Sequence, residues 1–284
     1  MTYFDRDRRE RFQKASAVVV CANGAETPRL LLTSQTSRFP HGLANSSGLV
    51  GKYLMFDLNT RVWGLFEHPL NDYKSIDVTR VVYDYYAADR KRGFYGGGGI
   101  DCRFGTNPVA HALGGVPPDL PQWGAAWKNL MGEYFTHTMN SGSHLTSLPL
   151  EANAIDLDPE LKDSWGLPAM RVTFKMHPDD MANMKFFLAR QREILEAAGA
   201  KKIWDSGADD VTASVHLMGT CRMGNDPATS VVDKFNRAHD VPNLFIVDGS
   251  SFVTSGRQQP TATIQALGYR AADHMIQAAK KREI

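Results

Sequence analysis

The sequence predicts a mixed fold, α/β plus α+β, in which an antiparallel-sheet segment is inserted into the remnant of a parallel-sheet domain. Three observations predict it. Ser16-Ala-Val-Val-Val-Cys-Ala22 is a continuous apolar, β-branched run, the pattern of a strand buried on both faces of a parallel sheet. Asn243-Leu-Phe-Ile-Val247 is a second such run and leads straight into Asp248-Gly249-Ser250. Between them residues 169–176 alternate: Met170, Val172, Phe174 and Met176 face one side, Arg171, Thr173 and Lys175 the other. That is the period of an antiparallel strand with one wet face.

The elements follow in order. Asn23-Gly24 breaks the first strand, and a helix is expected over residues 27–33, with Pro28 in the first turn, where its missing N–H costs nothing. Strands are expected over residues 60–66 and 133–139. Residues 90–124 contain four consecutive glycines at 96–99, Gly114-Gly115 and Pro117-Pro118, and read as long substrate-facing loops. A long helix is expected from Pro178 to Ala198, with Asp179 and Asp180 in its positive first turn and Gly199 at its end. Met181, Met184, Leu188, Leu195 and Ala198 form its apolar stripe. The last helix starts near Pro260-Thr261, runs through Ile264, Leu267, Ala271 and Met275, and closes in Lys280-Lys281-Arg282, which suits the negative end of its dipole. The expected division is residues 1–59 as the first portion of the parallel-sheet domain, 60–200 as the insert and 201–284 as the closing portion.

Composition narrows the function. Of 284 residues, 43% are apolar and 22% charged, a globular balance. With 32 Lys and Arg against 31 Asp and Glu, no charge excess points to nucleic acid or an anionic membrane surface. No apolar run is long enough to span a bilayer. Three cysteines, Cys21, Cys102 and Cys221, form no C-x-x-C and no disulfide framework. No metal site is expected either, since His216 and Cys221 lack third and fourth ligands at a known spacing.

Two stretches carry chemistry. One is His216-Leu-Met-Gly-Thr-Cys-Arg-Met-Gly224; the other runs from Asn243 through Asp248-Gly249-Ser250 to Gln259-Pro260-Thr261. An acidic residue at the carboxyl end of a parallel strand often meets a cofactor. A helix opening with Gln-Pro-Thr aims free N–H groups and a positive dipole end outward, which would stabilise the negative charge of a reduced cofactor ring that faced it. His216 can serve as a base toward an alcohol, because imidazole titrates near working pH.

These stretches resemble the C-terminal part of the GMC (glucose–methanol–choline) flavin oxidoreductases, in the style of the gluconate, fructose and glucoside dehydrogenase branch. The 216–224 string resembles the family's H-x-x-G-T-C-R-M-G block, and 248–264 its D-G-S…N-P-T-x-T-I block. Ala22-Asn-Gly-Ala-Glu-Thr-Pro-Arg-Leu-Leu31 and Asn45-Ser-Ser-Gly-Leu-Val-Gly51 are similar to upstream segments. The charged stretch from Asp5 to Arg11 resembles an internal hairpin. The resemblance implies a remnant of an FAD-binding domain carrying an inserted substrate domain, and oxidation of a sugar or polyol hydroxyl to a carbonyl with hydride passing to flavin N5. It makes His216 the catalytic base and puts Gln259 where the family has His or Asn. It places Asp248 and Gly249 at the flavin's diphosphate and ribityl portion, Pro260 and Thr261 near its pyrimidine, and Gly24, Ala25 and Thr27 in the lining of the FAD site. The family's G-x-G-x-x-G fingerprint is not found in the sequence. The expectation is therefore a split subunit or fragment that works with a complementary N-terminal FAD-binding polypeptide, and alone exposes an apolar edge. Electrons would leave to a cytochrome or quinone, in a bacterial periplasm or cytoplasm. The alternative is a non-catalytic binding or scaffold subunit of the same fold.

Other candidates read as structural. His137, His144 and His177 are expected in loops or on the surface, and Cys221 as a small buried residue. Trp123 and Trp127 form either a sugar-stacking wall or core packing. Arg29 pairs either with a phosphate or with a carboxylate of its own neighbourhood.

Overall fold

The computed structural model describes residues 1–76, 78–103, 107–208 and 214–284. The chain opens with a hairpin of β1 (Thr2–Phe4) and β2 (Glu10–Phe12). The Asp5 carboxylate ties its turn by accepting from the Asp7 and Arg9 amides and from Arg11 Nε. Next come β3 (Val18–Val20) and α1 (Asn23–Thr33). The helix begins at Asn23 and not, as expected, at Thr27. Asn23, at φ 68°, turns the chain out of the strand, and its side-chain oxygen accepts the Ala25 and Glu26 amides. Pro28 consequently sits inside the helix and offers no N–H to the Gly24 carbonyl. The Thr220 hydroxyl takes that bond instead, at 2.7 Å, and so fastens α1 to the 216–224 stretch.

The insert is built on a five-stranded antiparallel sheet. Short β4 (Met55–Phe56) leads through Asp57 into β5 (Leu58–Leu65); β6 (Val78–Val82) and β7 (Gly98–Arg103) follow. After helices α2 (Pro108–Gly114) and α3 (Gly124–His137) come β8 (Thr138–Leu145) and a two-stranded hairpin, β9 (Ala154–Lys162) with β10 (Pro168–Thr173). Then come α4 (Pro178–Ala197) and β11 (Lys202–Asp205). The sheet order is β11-β5-β8-β7-β6, with every pair antiparallel. The chain ends with β12 (Leu217–Met218), β13 (Leu244–Ile246) and α5 (Thr261–Lys280). β12 pairs antiparallel with β4, and β13 pairs parallel with β3.

Two expectations are corrected in the insert. Residues 133–137 are the end of α3, not a strand. The run Ala125-Ala126-Trp127-Lys128-Asn129-Leu130-Met131 nucleates a helix that propagates at little cost, and Tyr134 docks against Trp204. The glycine run, expected as loop, enters the sheet: Gly98 and Gly99 are strand residues of β7. A Cβ on Gly98 would strike the His144 carbonyl, and one on Gly99 the Gln258 side chain. At Gly98 glycine is needed for the close approach of backbone, not for a bend.

One face of the sheet packs on α4. Leu58, Ile100 and Leu145 meet Met184 and Phe187 in a buried cluster. Beside it a polar ladder is buried and satisfied: Thr60 Oγ1 bonds Ser143 Oγ and Gln191 Oε1, and Gln191 Nε2 donates to the Ser141 carbonyl. On α4 itself Phe187, 0% exposed, joins the apolar stripe, while Ala198 beyond its end faces solvent. A capping box of His177 and Asp180 starts the helix, and Gly199 follows its end at φ 90°. The parallel pair β3–β13 packs with α1 residues and with Cys221 and Val232 in a second cluster. Among the described residues β3 pairs with β13 alone; Val19 is 47% exposed and Leu30 45%.

Two outcomes follow from this packing. Thr220→Val leaves the Gly24 carbonyl without its donor and is expected to cost about 1–3 kcal/mol, read as a lower urea midpoint. Burial pushes the Asp180 carboxyl up to about 6, against the lowering pull of the His177 and Leu148 amides. The folded chain thus keeps a proton that an ordinary Asp gives up near pH 4, so stability falls as pH rises from about 4 to about 6, by about 3 kcal/mol in all. Asp180→Asn, which retains an acceptor oxygen, is expected to flatten that part of the stability–pH curve.

Candidate active site

The site is assembled by the short β4–β12 pairing. Leu217 lies opposite Phe56 and Met218 opposite Met55, so the next residues outward, His216 and Asp57, face each other. The Asp57 amide donates to the His216 carbonyl at 3.2 Å. Three glycines let β12 thread this narrow place. A Cβ on Gly24 or Gly249 would run into the Leu217 carbonyl, and one on Gly219, at φ 95°, into the Tyr53 carbonyl.

Side-chain bonds lock the surrounding frame. Asp248 Oδ1 accepts the Ser250 amide, and Oδ2 accepts the Thr27 hydroxyl at 2.6 Å. Thr27 Oγ1 in turn accepts the Ala22 amide at the end of β3. Gly24, Ala25, Thr27, Asp248 and Gly249 therefore form one buried group around β12. Pro260 is buried at the start of α5, and Thr261 is exposed in its first turn. Gln259, just before them, lines the same cavity as His216.

The centre of the site is a buried carboxylate. Asp57 Oδ2 meets Nδ1 of His144 at 2.7 Å and Nδ1 of His216 at 2.8 Å. The Asp57 side chain is 1% exposed, and its Oδ1 has no hydrogen-bond partner among the described residues. Arg103 reaches the other side of His144: its Nη2 lies 2.6 Å from His144 Nε2. The same guanidinium forks onto buried Asp101, with Nε at 2.8 Å and Nη2 at 3.1 Å. Gly142, across from Asp101, leaves room for that fork, since a Cβ there would lie 2.6 Å from Arg103 Nε. The open face of the sheet thus carries Asn59, Arg61, Arg103 and His144 along one wall of a cavity of about 350 Å³, closed by His216 and Gln259. His216 Nε2 has no hydrogen-bond partner among the described residues.

Asp57, His144 and His216 each bring a ligand-type atom within 4.8 Å of the others. Their N···O separations are those of hydrogen bonds to an ionised carboxylate. Ligands about 2.0–2.1 Å from a zinc ion would stand more than 3 Å apart. Protons therefore join this group.

The other candidate residues take the following places. His144 is not in a loop: it is buried on the central strand β8 and sits in the cluster. His177 caps α4, and His137 ends α3. Trp123 is 85% exposed, and neither it nor Trp127 lines the His216 cavity. Arg29 binds Asp163 at 2.6 Å and also Glu26, so a carboxylate is its partner; the Asp163 bond foremost raises the guanidinium's pKa. Cys221 is fully buried, and burial first, then the Asp248 charge, pushes its thiol far above the ordinary range. Asp57, Asp101 and Arg103 were not singled out by sequence. Their only signal is the spacing Asp101-Cys-Arg103, which puts both on one face of a strand.

Comparison with known proteins adds the following. Residues 149–268 match the model of a family described as GMC oxidoreductase. The chain is 39% identical over 277 residues to a 2-methyl-1,2-propanediol dehydrogenase of Mycolicibacterium austroafricanum, covering 96% of the chain and 50% of that protein. It is 29% identical to the gluconate 2-dehydrogenase flavoprotein of Pantoea cypripedii, covering 96% and 46%. The crystal structure of pyridoxine 4-oxidase from Mesorbium loti shares the fold, with TM-score 0.66 and 19% identity over 96% of this chain and 53% of that one. The chain spans about half the length of the curated relatives it matches. No described helix is long and apolar enough to cross a membrane.

Arg103→Met leaves Asp101, 1% exposed, without its cation. It is expected to destabilise the protein by about 3–5 kcal/mol in chemical denaturation, with Asp101→Asn in the same chain recovering part of the loss.

Proposed function

This chain belongs to the GMC oxidoreductase family, and on that premise we propose that it forms the substrate-side part of an FAD-dependent enzyme oxidising a sugar or polyol hydroxyl to a carbonyl. The observation that carries the reading is His216: one ring nitrogen is tied to a buried carboxylate, and the other is open toward a polar cavity shared with Gln259.

The flavin fits the frame at one place above all. The first turn of α5 is exposed and has no side-chain cap, so its N–H groups are free to meet a carbonyl-rich, electron-accepting ring edge. Pro260 and Thr261 would meet the ring there. Gly24, Ala25, Thr27, Asp248 and Gly249 would form the wall beneath, with Thr27 and Asp248 holding each other. When bound, FAD supplies the hydride acceptor. Gln259 orients the substrate hydroxyl by hydrogen bonding, since an amide cannot take its proton. His216 Nε2 takes that proton as general base. Asn59 and Arg61 offer the hydrogen-bonding wall that a polyhydroxylated substrate needs.

The relatives' names bear on substrate class, being a diol dehydrogenase and a gluconate dehydrogenase. The rest of the flavin surface is proposed to come from a complementary N-terminal FAD-binding polypeptide, and the electrons to leave through a cytochrome or a quinone. On this reading residues 1–59 and 201–284 seat the flavin and bring His216 and Gln259 to the substrate, and 60–200 supply the rest of the substrate's surroundings.

The test is flavin bleaching by sugars and polyols in the FAD-loaded enzyme, followed near about 450 nm. His216→Ala is expected to slow it by about 10²–10⁴-fold. A loss smaller than about tenfold would remove His216 as the base.

A further inference from the structure

We infer that Asp57 is the positioning residue that makes His216 a base, and that Arg103, through His144, confines the substrate's proton to His216. This rests on the function proposed above for the same site.

The argument is an assignment of hydrogens. Arg103 has only donors, so in its 2.6 Å contact with His144 the ring's Nε2 must accept. His144 therefore carries its single proton on Nδ1 and gives it to Asp57 Oδ2. The carboxylate, an acceptor only, likewise requires a proton on His216 Nδ1. That leaves Nε2 of His216 as a bare lone pair facing the cavity. Of the two imidazoles in the chain Asp101–Arg103–His144–Asp57–His216, only one thus has a ring nitrogen that can take another proton. His144 cannot, because the Arg103 N–H already occupies the position that proton would need. His216 can, and its ring then becomes a cation 2.8 Å from a carboxylate that no other described cation touches. In the proton step the substrate O–H bond breaks and the His216 Nε2–H bond forms. The electron pair left on oxygen would become the second C–O bond, with FAD, when bound, supplying the acceptor for the hydride that leaves the carbon.

Two measurements on the FAD-loaded enzyme test this. The first is ¹⁵N imidazole NMR with labelled histidine, resonances assigned by His144→Gln and His216→Gln. Expected is a protonated Nδ1 and an unprotonated Nε2 on both rings, with His144 unchanged in Arg103→Lys, which keeps a donor. Finding Nε2–H on His144, or Nε2–H on His216 with Nδ1 bare, would overturn the inference without touching the base assignment. The second is Asp57→Asn. Both rings bond the single oxygen Oδ2, so the amide either accepts from both without the charge that stabilises an imidazolium, or turns its NH2 to them and reverses both tautomers. On either course kcat is expected to fall about 10²–10⁴-fold, with KM changed less than about threefold. A kcat within about tenfold of the parent enzyme would overturn it. Should Asp57→Asn not fold, the tautomers of the unaltered enzyme decide. Loss of the His216→Ala effect would fail the proposed function, whereas the tautomer pattern is read independently of turnover.

Discussion

One buried carboxylate oxygen organises this chain. Asp57 Oδ2 receives two imidazoles from positions far apart in sequence, and its side chain is closed to solvent. An ionised group in that place is tolerable only with such donors around it. The surrounding architecture reads as the means of keeping them aligned. β4 and β12 are each two residues long and could not hold a register alone. They are held because Gly24, Gly219 and Gly249 let backbone pack on backbone, and because Thr220 fills the hydrogen bond that Pro28 vacates in α1. The sheet supplies the other imidazole on β8 and the guanidinium on β7, with Gly142 between Arg103 and the room it requires.

Much of the α/β framework was legible in the sequence for a simple physical reason. The β3 and β13 runs are apolar on both faces, and α4 carries acidic residues in its first turn and a glycine just past its end, which helix electrostatics and backbone geometry alone predict. The family's motif strings also pointed to His216 and Gln259. The central sheet was not legible. β8 reads Thr-Met-Asn-Ser-Gly-Ser-His-Leu, with no apolar alternation, since Ser143 is satisfied at the α4 interface by Thr60, and the Ser141 hydroxyl donates to the Asp101 carbonyl and accepts from Gln191. Hydrophobic periodicity cannot see a face that is buried through hydrogen bonds. The glycines of β7 failed the same test from the other side: residues chosen for closeness look like residues chosen for flexibility.

The partners of His216 were hidden for a related reason. Asp57, His144 and Arg103 are brought together only by strand order and by a two-residue ladder. A lone histidine in a polar stretch resembles surface, and its burial here comes from the carboxylate and guanidinium on either side. Conversely, Thr27 and Asp248 stood out in sequence, yet their side chains are engaged with each other, and what they contribute is rigidity beneath the strand that carries His216.

The open side of β3 has a geometric consequence. Strands in a parallel sheet end on one rim, and β13 already sends its chain from that rim into Asp248. A further parallel strand laid against β3 would deliver its own following turn to the same rim, a strand's width from Thr27. A peptide that docks along Val19 in that same direction therefore makes the loop after it a neighbour of Asp248 by topology alone.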